Sequence, residues 1–213
     1  MTTARLEEVP TQGVEAGLTE RLVELGADPL RVATLGPQGT SSERAAYELL
    51  EVCGQDYGCI TEVALYPSFE EAARSVIDGD CSAVVVANAY SEVNRLYMNP
   101  GYFLAGAFVL ATPDYGLVAT SNQPIPLCVS VATHPAPQAL VGQLTPPSFL
   151  VRQTLQAPST SEAAKMVADG YVELALTNET SARQYGLRFV SDKRPIRMLW
   201  SVFVPSSRVG APY

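Results

Sequence analysis

Thr34-Leu35-Gly36-Pro37-Gln38-Gly39-Thr40-Ser41-Ser42-Glu43-Arg44-Ala45-Ala46 is the stretch from which the fold is read. Ahead of it, Arg31 to Leu35 is a short apolar, β-branched run that reads as a strand. Behind it, Ser42 to Val52 reads as a helix, with Ala45, Ala46, Leu49 and Leu50 on its inner face. Glycines at 36 and 39 let the backbone turn closely, and Thr40, Ser41 and Ser42 bring hydroxyls to the helix start. Backbone N–H groups, the positive end of the helix dipole and short hydroxyl side chains together make an anion seat. No lysine follows Gly39, so the turn is not a nucleotide P-loop. Taken alone, the same residues also suit a turn and N-cap that hold no ligand.

Working outward, Glu62 to Tyr66 reads as a strand, and Ser68 with Glu71 three residues on forms a capping box. The helix it opens runs to about Asp78 and stops at Gly79; Cys81 to Val86 then reads as a short strand buried on both faces. Phe103 to Val118 and Leu127 to Ala132 suggest strands, and the proline-rich piece Thr133 to Pro147 includes a helix near Gln138 to Leu144. Ser159-Thr160-Ser161-Glu162 caps a helix from Ala163 to Asp169, closed by Gly170. Leu174 to Thr177 is a second short buried strand, followed by a helix from Glu179 to Tyr185 with Gly186 as its stop, and Met198 to Val204 is the last strand. Residues 1–30 read as an extension, with a short helix from Val14 to Gly26 that puts Leu18, Leu22 and Leu25 on one side, before the break at Asp28-Pro29.

The order capped helix, glycine stop, short apolar strand, small polar residues occurs twice, from Ser68 to Tyr90 and from Ser159 to Glu179. Two α/β lobes of similar build, facing each other across a cleft, would produce that echo, as would the strand–turn–helix units of a single α/β domain; paired lobes bind ligands at strand ends and helix N-termini. The expected division is residues 31–104 with 194–213 in lobe 1 and residues 105–193 in lobe 2.

The chain has 213 residues, 47% of them hydrophobic and 17% charged, which supplies a core for one domain of ordinary size or two small lobes. Its formal net charge of -8 argues against nucleic acid, whose phosphates demand a surplus of Lys and Arg. No apolar run approaches the ~20 residues of a membrane span, and the start lacks a secretory pattern, so a cytoplasmic protein is expected. Cys53, Cys59, Cys81 and Cys128 form no CxxC pair and stand far from His134, the single histidine. A metal site is therefore not expected, nor is an organic cofactor, and the cysteines read as reduced thiols.

Thr34 to Ala46 resembles the opening motif of the prephenate dehydratases, which usually carry Phe where this chain has Ser41. Ser68-Phe69-Glu70-Glu71-Ala72, His134-Pro135 with Gln138-Ala139-Leu140, Ser159-Thr160-Ser161-Glu162-Ala163-Ala164 and Tyr185-Gly186-Leu187 match the same family in order. The resemblance covers residues 31 to 205. It implies an α/β, two-lobed fold of the periplasmic-binding-protein type (type II) with the ligand cleft between the lobes, and a tendency to form homodimers. Regulation by the ACT domain common in the family is not expected.

Two departures bear on the reaction. Dehydratases close their catalytic domain with Thr-Arg-Phe, whose Thr helps expel the ring hydroxyl; here the corresponding stretch is Arg197-Met198-Leu199-Trp200-Ser201-Val202-Phe203. Their Pro-Ile-Glu-Asn-Ser is replaced by Ala87-Asn88-Ala89-Tyr90-Ser91. Leu35 to Glu43, Tyr97-Met98, Tyr115-Gly116-Leu117, Ala175-Leu176-Thr177-Asn178-Glu179 and Met198 with Trp200-Ser201 resemble the non-aromatising prephenate decarboxylases of bacilysin-type antibiotic biosynthesis. That resemblance implies loss of CO2 from prephenate with the 4-hydroxyl kept, giving a dihydro-4-hydroxyphenylpyruvate. An unusual dehydratase and a silent ligand-binding module are the other readings.

The candidate proton donors are Glu179, Tyr90 and His134, with water as a further source. Thr40, Ser41 and Ser42 are expected to hold one substrate carboxylate. Thr160 with Ser161, or Thr177 with Asn178, are expected to hold the other, with Asn88 at the crossover. Met198, Leu199 and Trp200 are expected to wall the pocket where a dehydratase has its acid.

Overall fold

The computed structural model describes residues 30–57 and 61–209 and, ahead of them, Leu18, Leu22 and Glu24. Leu18 and Leu22 are helical and buried in the first lobe's core, where Leu18 packs on Gly106: a Cβ there would lie 2.9 Å from Leu18 Cδ1. Two residues of the expected amphipathic stripe thus serve the core. Leu25, Gly26 and the Asp28-Pro29 break lie outside the described residues.

Two five-stranded sheets form the frame. The first has the order β2-β1-β3-β10-β4, built from β1 (Leu30–Leu35), β2 (Thr61–Tyr66), β3 (Ala83–Ala87), β4 (Tyr102–Ala111) and β10 (Arg197–Pro205). The second has the order β7-β6-β8-β5-β9, built from β5 (Tyr115–Thr120), β6 (Cys128–Thr133), β7 (Leu150–Gln156), β8 (Leu174–Asn178) and β9 (Leu187–Phe189). In each sheet a parallel trio is followed by two antiparallel strands, so the echo in the sequence is a repeated topology. β3 and β8, third strand of each trio, are buried at every position, because helices cover both faces of a parallel sheet.

The helices are α1 (Ser41–Tyr57), α2 (Phe69–Ile77), the short turn α3 (Asn94–Tyr97), α4 (Ala139–Leu144), α5 (Thr160–Ala168) and α6 (Glu179–Gln184), with a 3-10 turn at Ser206–Arg208. Both expected caps are present: Ser68 Oγ accepts from Glu71 N–H at 3.1 Å and Ser159 Oγ from Glu162 N–H at 3.0 Å. The expected stops Gly79, Gly170 and Gly186 all have positive φ. Val32, Leu49, Val76, Val84, Trp200 and Phe203 anchor the first core, and Leu117, Val131, Leu174 and Leu176 one face of the second sheet. Each such side chain contributes about 1.5–3 kcal/mol when fully buried.

The division between lobes differs from the expected one. β4 stays in the first sheet through Ala111 and pairs with β10 along its length, so a boundary at residue 104 would cut a single strand. The apolar run from Phe103 to Val118 reads as continuous, but Thr112-Pro113-Asp114 interrupts it where proline cannot donate to a ladder. There the chain crosses to the second sheet, and it returns just before β10. The two crossings are bound to each other: Tyr115 and Arg194 exchange backbone hydrogen bonds of 2.8 and 2.9 Å, and Thr112 N–H donates to Ile196 O at 2.8 Å.

The lobes also meet at the glycine turn. Gly39 O accepts from Asn178 Nδ2 at 3.4 Å and from Ser181 Oγ at 3.2 Å, both at the start of α6. Gly39 has φ +85°, and a Cβ there would lie 2.7 Å from Gln184 Oε1. A side chain at this position meets both the left-handed backbone and the opposing lobe. Gly39→Ala is therefore expected to lower stability by about 1–2 kcal/mol, read as a reduced urea midpoint with unchanged m-value.

Candidate active site

A cavity of ≈ 310 Å³ lies between the lobes, within the range typical of small-molecule sites. Three helix N-termini contribute to its wall: Thr40, Ser41 and Ser42 of α1, Ser68, Phe69 and Glu70 of α2, and Ser159 and Thr160 of α5. Each is the start of a helix that follows a parallel strand, so the sheet topology aims all three at one place. Apolar and aromatic side chains fill much of the rest, among them Leu35, Ile196, Met198, Trp200, Tyr115 and Tyr90. No lysine or arginine is among the lining residues.

The glycine turn is built by its own glutamate. Glu43 Oε2 accepts from Gly39 N–H at 2.6 Å while Thr40 Oγ1 accepts from Glu43 N–H at 3.2 Å, a reciprocal capping box. Thr40 Oγ1 also donates to Leu35 O at 3.2 Å. The helix accordingly starts at Ser41, one residue earlier than expected, and the N–H of Gly39 is committed to Glu43. What faces the cavity is the first turn of α1, whose leading N–H groups have no partner within the helix. Ser41 Oγ meets Tyr115 Oη of the other lobe at 3.2 Å, so Tyr115, a wall residue that sequence reasoning did not single out, ties the seat to the lobe opposite.

On β10 the side chains alternate. Met198 and Trp200 line the cavity, whereas Leu199 is exposed and is not among the lining residues. The expected wall of three consecutive residues is thus a wall of two. Asn88, in the turn that follows β3, is not among the lining residues. Its neighbour in the network, Ser201, donates to Asn88 Oδ1 at 2.7 Å; Asn88 Nδ2 donates to Tyr97 Oη at 3.3 Å; and Tyr97 Oη lies 2.7 Å from Ser201 Oγ. This closed triangle braces β3 against β10.

The second lobe divides the expected residues too. Thr160 lines the cavity, but Ser161, Thr177 and Asn178 are fully buried behind it and are not lining residues. Thr177 Oγ1 donates to Thr160 O at 2.7 Å and so fixes the residue that does face the cavity. Asn178 caps α6, its Oδ1 accepting from Ser181 N–H at 2.8 Å. Ser161 Oγ is buried with no hydrogen-bond partner among the described residues. Glu179, expected as a proton donor, lies outside the cavity and pairs with Lys193 at 3.5 Å and Arg183 at 3.7 Å. The N–H of Glu179 bonds Asp114 O at the crossing, which turns this residue toward the hinge.

Tyr90 and His134 do line the cavity. Tyr90 Oη donates a hydrogen bond to Glu70 Oε1, and its ring packs on Phe69 at 4.9 Å. Burial, then Glu70, raises the Tyr90 pKa above the ordinary tyrosine value. That hydroxyl is a held donor rather than a ready acid. His134 Nδ1 accepts from Ala136 N–H at 3.2 Å, which leaves the neutral ring's hydrogen on Nε2. No group of three or more potential metal-ligating side chains occurs among the described residues. None of their helices is long and apolar enough to cross a membrane.

Comparison with known proteins adds the following. The prephenate decarboxylase of Bacillus subtilis (strain 168) is 35% identical over 178 residues, covering 82% of this chain and 86% of the relative. A prephenate dehydratase from Arthrobacter aurescens, solved in complex with L-Phe, matches with a TM-score of 0.59 at 17% identity. That match takes in 82% of this chain and 60% of the dehydratase chain. A periplasmic substrate-binding protein of an ABC transporter from Coxiella burnetii matches with a TM-score of 0.53 at 15% identity, over 86% of this chain and 87% of its own. No protein-family model matches the chain. The two structural likenesses show the two-lobed, periplasmic-binding-protein-like fold.

His134, the one histidine in the chain, makes the site's electrostatics measurable. Its burial lowers its pKa below the ordinary histidine value of about 6.5. Between the folded value and 6.5 the unfolded chain binds more protons, so stability falls as pH drops through that window. The urea midpoint is expected to fall more between about pH 7 and pH 5.5 in the wild type than in His134→Gln.

Proposed function

Since the chain belongs to the prephenate decarboxylase family, we propose that it removes CO2 from prephenate without aromatising the ring, keeping the 4-hydroxyl and giving a dihydro-4-hydroxyphenylpyruvate. The observation that carries this reading is the cavity face of β10, where Met198 and Trp200 offer no acid to the ring. Prephenate has a quaternary ring carbon bearing a carboxylate and, para to it, a hydroxyl able to leave. A proton on that hydroxyl lets the electrons released by CO2 depart with water, and an aromatic product follows. With no proton there, a ring carbon must be protonated instead. A barrier difference of about 1.4 kcal/mol separates such routes by only tenfold, so a wall that is merely poor in acids is a real part of selectivity.

Prephenate is a dianion, and the cavity meets it with helix N-termini rather than ammonium or guanidinium groups. The first turn of α1, with Thr40, Ser41 and Ser42, is the seat for one carboxylate. Thr160 at the first turn of α5, held from behind by Thr177, is the seat for the other. Dipoles and hydroxyls orient the substrate without the deep ground-state stabilisation an ion pair would give a carboxylate that must become neutral CO2. Ser161, Thr177, Asn178 and Asn88 enter this reading as supports of the wall, and Leu199 as the outer face of the strand. Of the three candidate proton donors, His134 lines the cavity, Tyr90 is committed to Glu70, and Glu179 is committed to its cations. Water beside His134, or the protonated His134 ring, is the proton source in this reading. No cofactor is called for, because the ring diene itself accepts the electron pair.

The same reading places the protein in the cytoplasm, where the free thiols Cys81 and Cys128 stay reduced. It makes the product a precursor for antibiotic biosynthesis, and it includes association into a homodimer.

Incubation with prephenate is expected to release one CO2 per non-aromatic keto acid, followed by gas evolution and by chromatography of the acids. Phenylpyruvate as the main product would contradict the reading, as would binding without turnover. Thr160→Val, which keeps size and removes the hydroxyl, is expected to raise KM by roughly tenfold or more, the worth of one hydrogen bond to a charged group.

A further inference from the structure

Glu70 is the one acidic side chain among the residues lining the cavity. It is the second residue of α2, where the helix dipole favours negative charge. The Tyr90 hydroxyl donates to Glu70 Oε1, while Tyr90 N–H bonds Ala87 O at 3.0 Å and the Tyr90 ring rests on Phe69. Tyr90 is thus fixed at backbone, ring and hydroxyl, and it fixes Glu70. The hydrogen bond from Tyr90 is the largest influence holding the Glu70 pKa below the ordinary glutamate value; Arg95 acts the same way more weakly. Arg95 is itself paired with Glu92 at 2.7 Å, and Glu92 in turn raises Tyr90. On α2 the neighbouring Glu71 is bound to Ser68, and across the cavity His134 is depressed by burial. Glu70 therefore stands ionised in the cavity wall at neutral pH, able to accept hydrogen bonds and unable to give one.

The chemistry of the substrate class selects what such a group receives. A prephenate dianion carries two carboxylates and a keto oxygen, all acceptors, and a single donor, the 4-hydroxyl. A carboxylate set against Glu70 is repelled, whereas the hydroxyl pairs with it. Resting on the decarboxylase reading, we propose that Glu70 accepts a hydrogen bond from the 4-hydroxyl of the substrate, with Tyr90 as its positioning residue, and so determines that the hydroxyl is retained. In the retained route the bond from ring carbon 1 to the carboxyl breaks and its electrons form the bond between carbons 1 and 2. The former pair between carbons 2 and 3 takes a proton at carbon 3, CO2 leaves, and the C4–O bond stays intact. The competing route needs a proton on the hydroxyl oxygen. Glu70 occupies that oxygen's neighbourhood as an acceptor, and Tyr90 keeps it from becoming the donor.

The test compares wild type, Glu70→Gln, Tyr90→Phe and the double variant on prephenate, from about pH 5 to pH 8, with the spontaneous aromatisation of prephenate subtracted from enzyme-free controls. Glu70→Gln is expected to raise KM roughly tenfold, the worth of a charge-assisted hydrogen bond. Tyr90→Phe is expected to release enzymatic phenylpyruvate in a fraction that grows as pH falls, because Glu70 without the Tyr90 hydrogen bond takes up a proton more readily than in the wild type. The double variant is expected to lose this acid-dependent aromatisation, a readout that mere loosening of the wall would not produce. Unchanged KM and unchanged product partition in folded Glu70→Gln would overturn the proposal alone. A wild type that does not decarboxylate prephenate would overturn the reading beneath it and the proposal with it.

Discussion

The carbonyl oxygen of Gly39 accepts hydrogen bonds from Asn178 and Ser181, at 3.4 and 3.2 Å, across the gap between the two sheets. This contact and the paired crossings at Tyr115 and Arg194 hold the lobes from two sides. The cavity is the space left between. How near those points bring α1 to α5 sets the width of the cavity. Gly39 can serve because it reaches φ +85° and has no side chain to meet Gln184. The turn that the sequence presents as an anion seat is therefore first a joint between lobes. Its anion-binding capacity lies one residue further on, in the first turn of α1.

Much of this frame was legible in the residues. The capping boxes at Ser68 and Ser159 and the apolar strands Ala83–Ala87 and Leu174–Asn178 are local patterns with one physical solution each, and they gave the repeat from which two lobes were read. Features fixed by long-range packing were not legible. β7 has an exposed, irregular pattern because it is an edge strand, and β9 is three residues long; neither carries a period that marks it. The crossing at Thr112-Pro113-Asp114 was hidden inside an apolar run that belongs to both sheets.

The site shows the same division. Hydroxyls at helix starts were found because capping chemistry is local, whereas which of several neighbouring residues faces the cavity depends on the phase of a strand or helix. Met198 and Trp200 face inward and Leu199 outward; Thr160 faces inward and Ser161 and Thr177 stand behind it. Glu70 lay within a quoted motif, Ser68-Phe69-Glu70-Glu71-Ala72, yet it reads there as an ordinary first-turn acid. Its meaning comes from Tyr90, twenty residues away in the chain and in contact only through the fold.

The chemical logic that emerges is one of withheld protons. The apolar face of β10 supplies none, the carboxylate of Glu70 accepts rather than gives, and Tyr90 spends its own hydrogen on keeping it so. The measurement that bears most directly on this account is nuclear magnetic resonance of the products formed from prephenate in deuterium oxide. The account predicts a ring that keeps its hydroxyl-bearing methine and gains one deuterium on the adjacent carbon. A five-hydrogen aromatic pattern with the methine lost would contradict it.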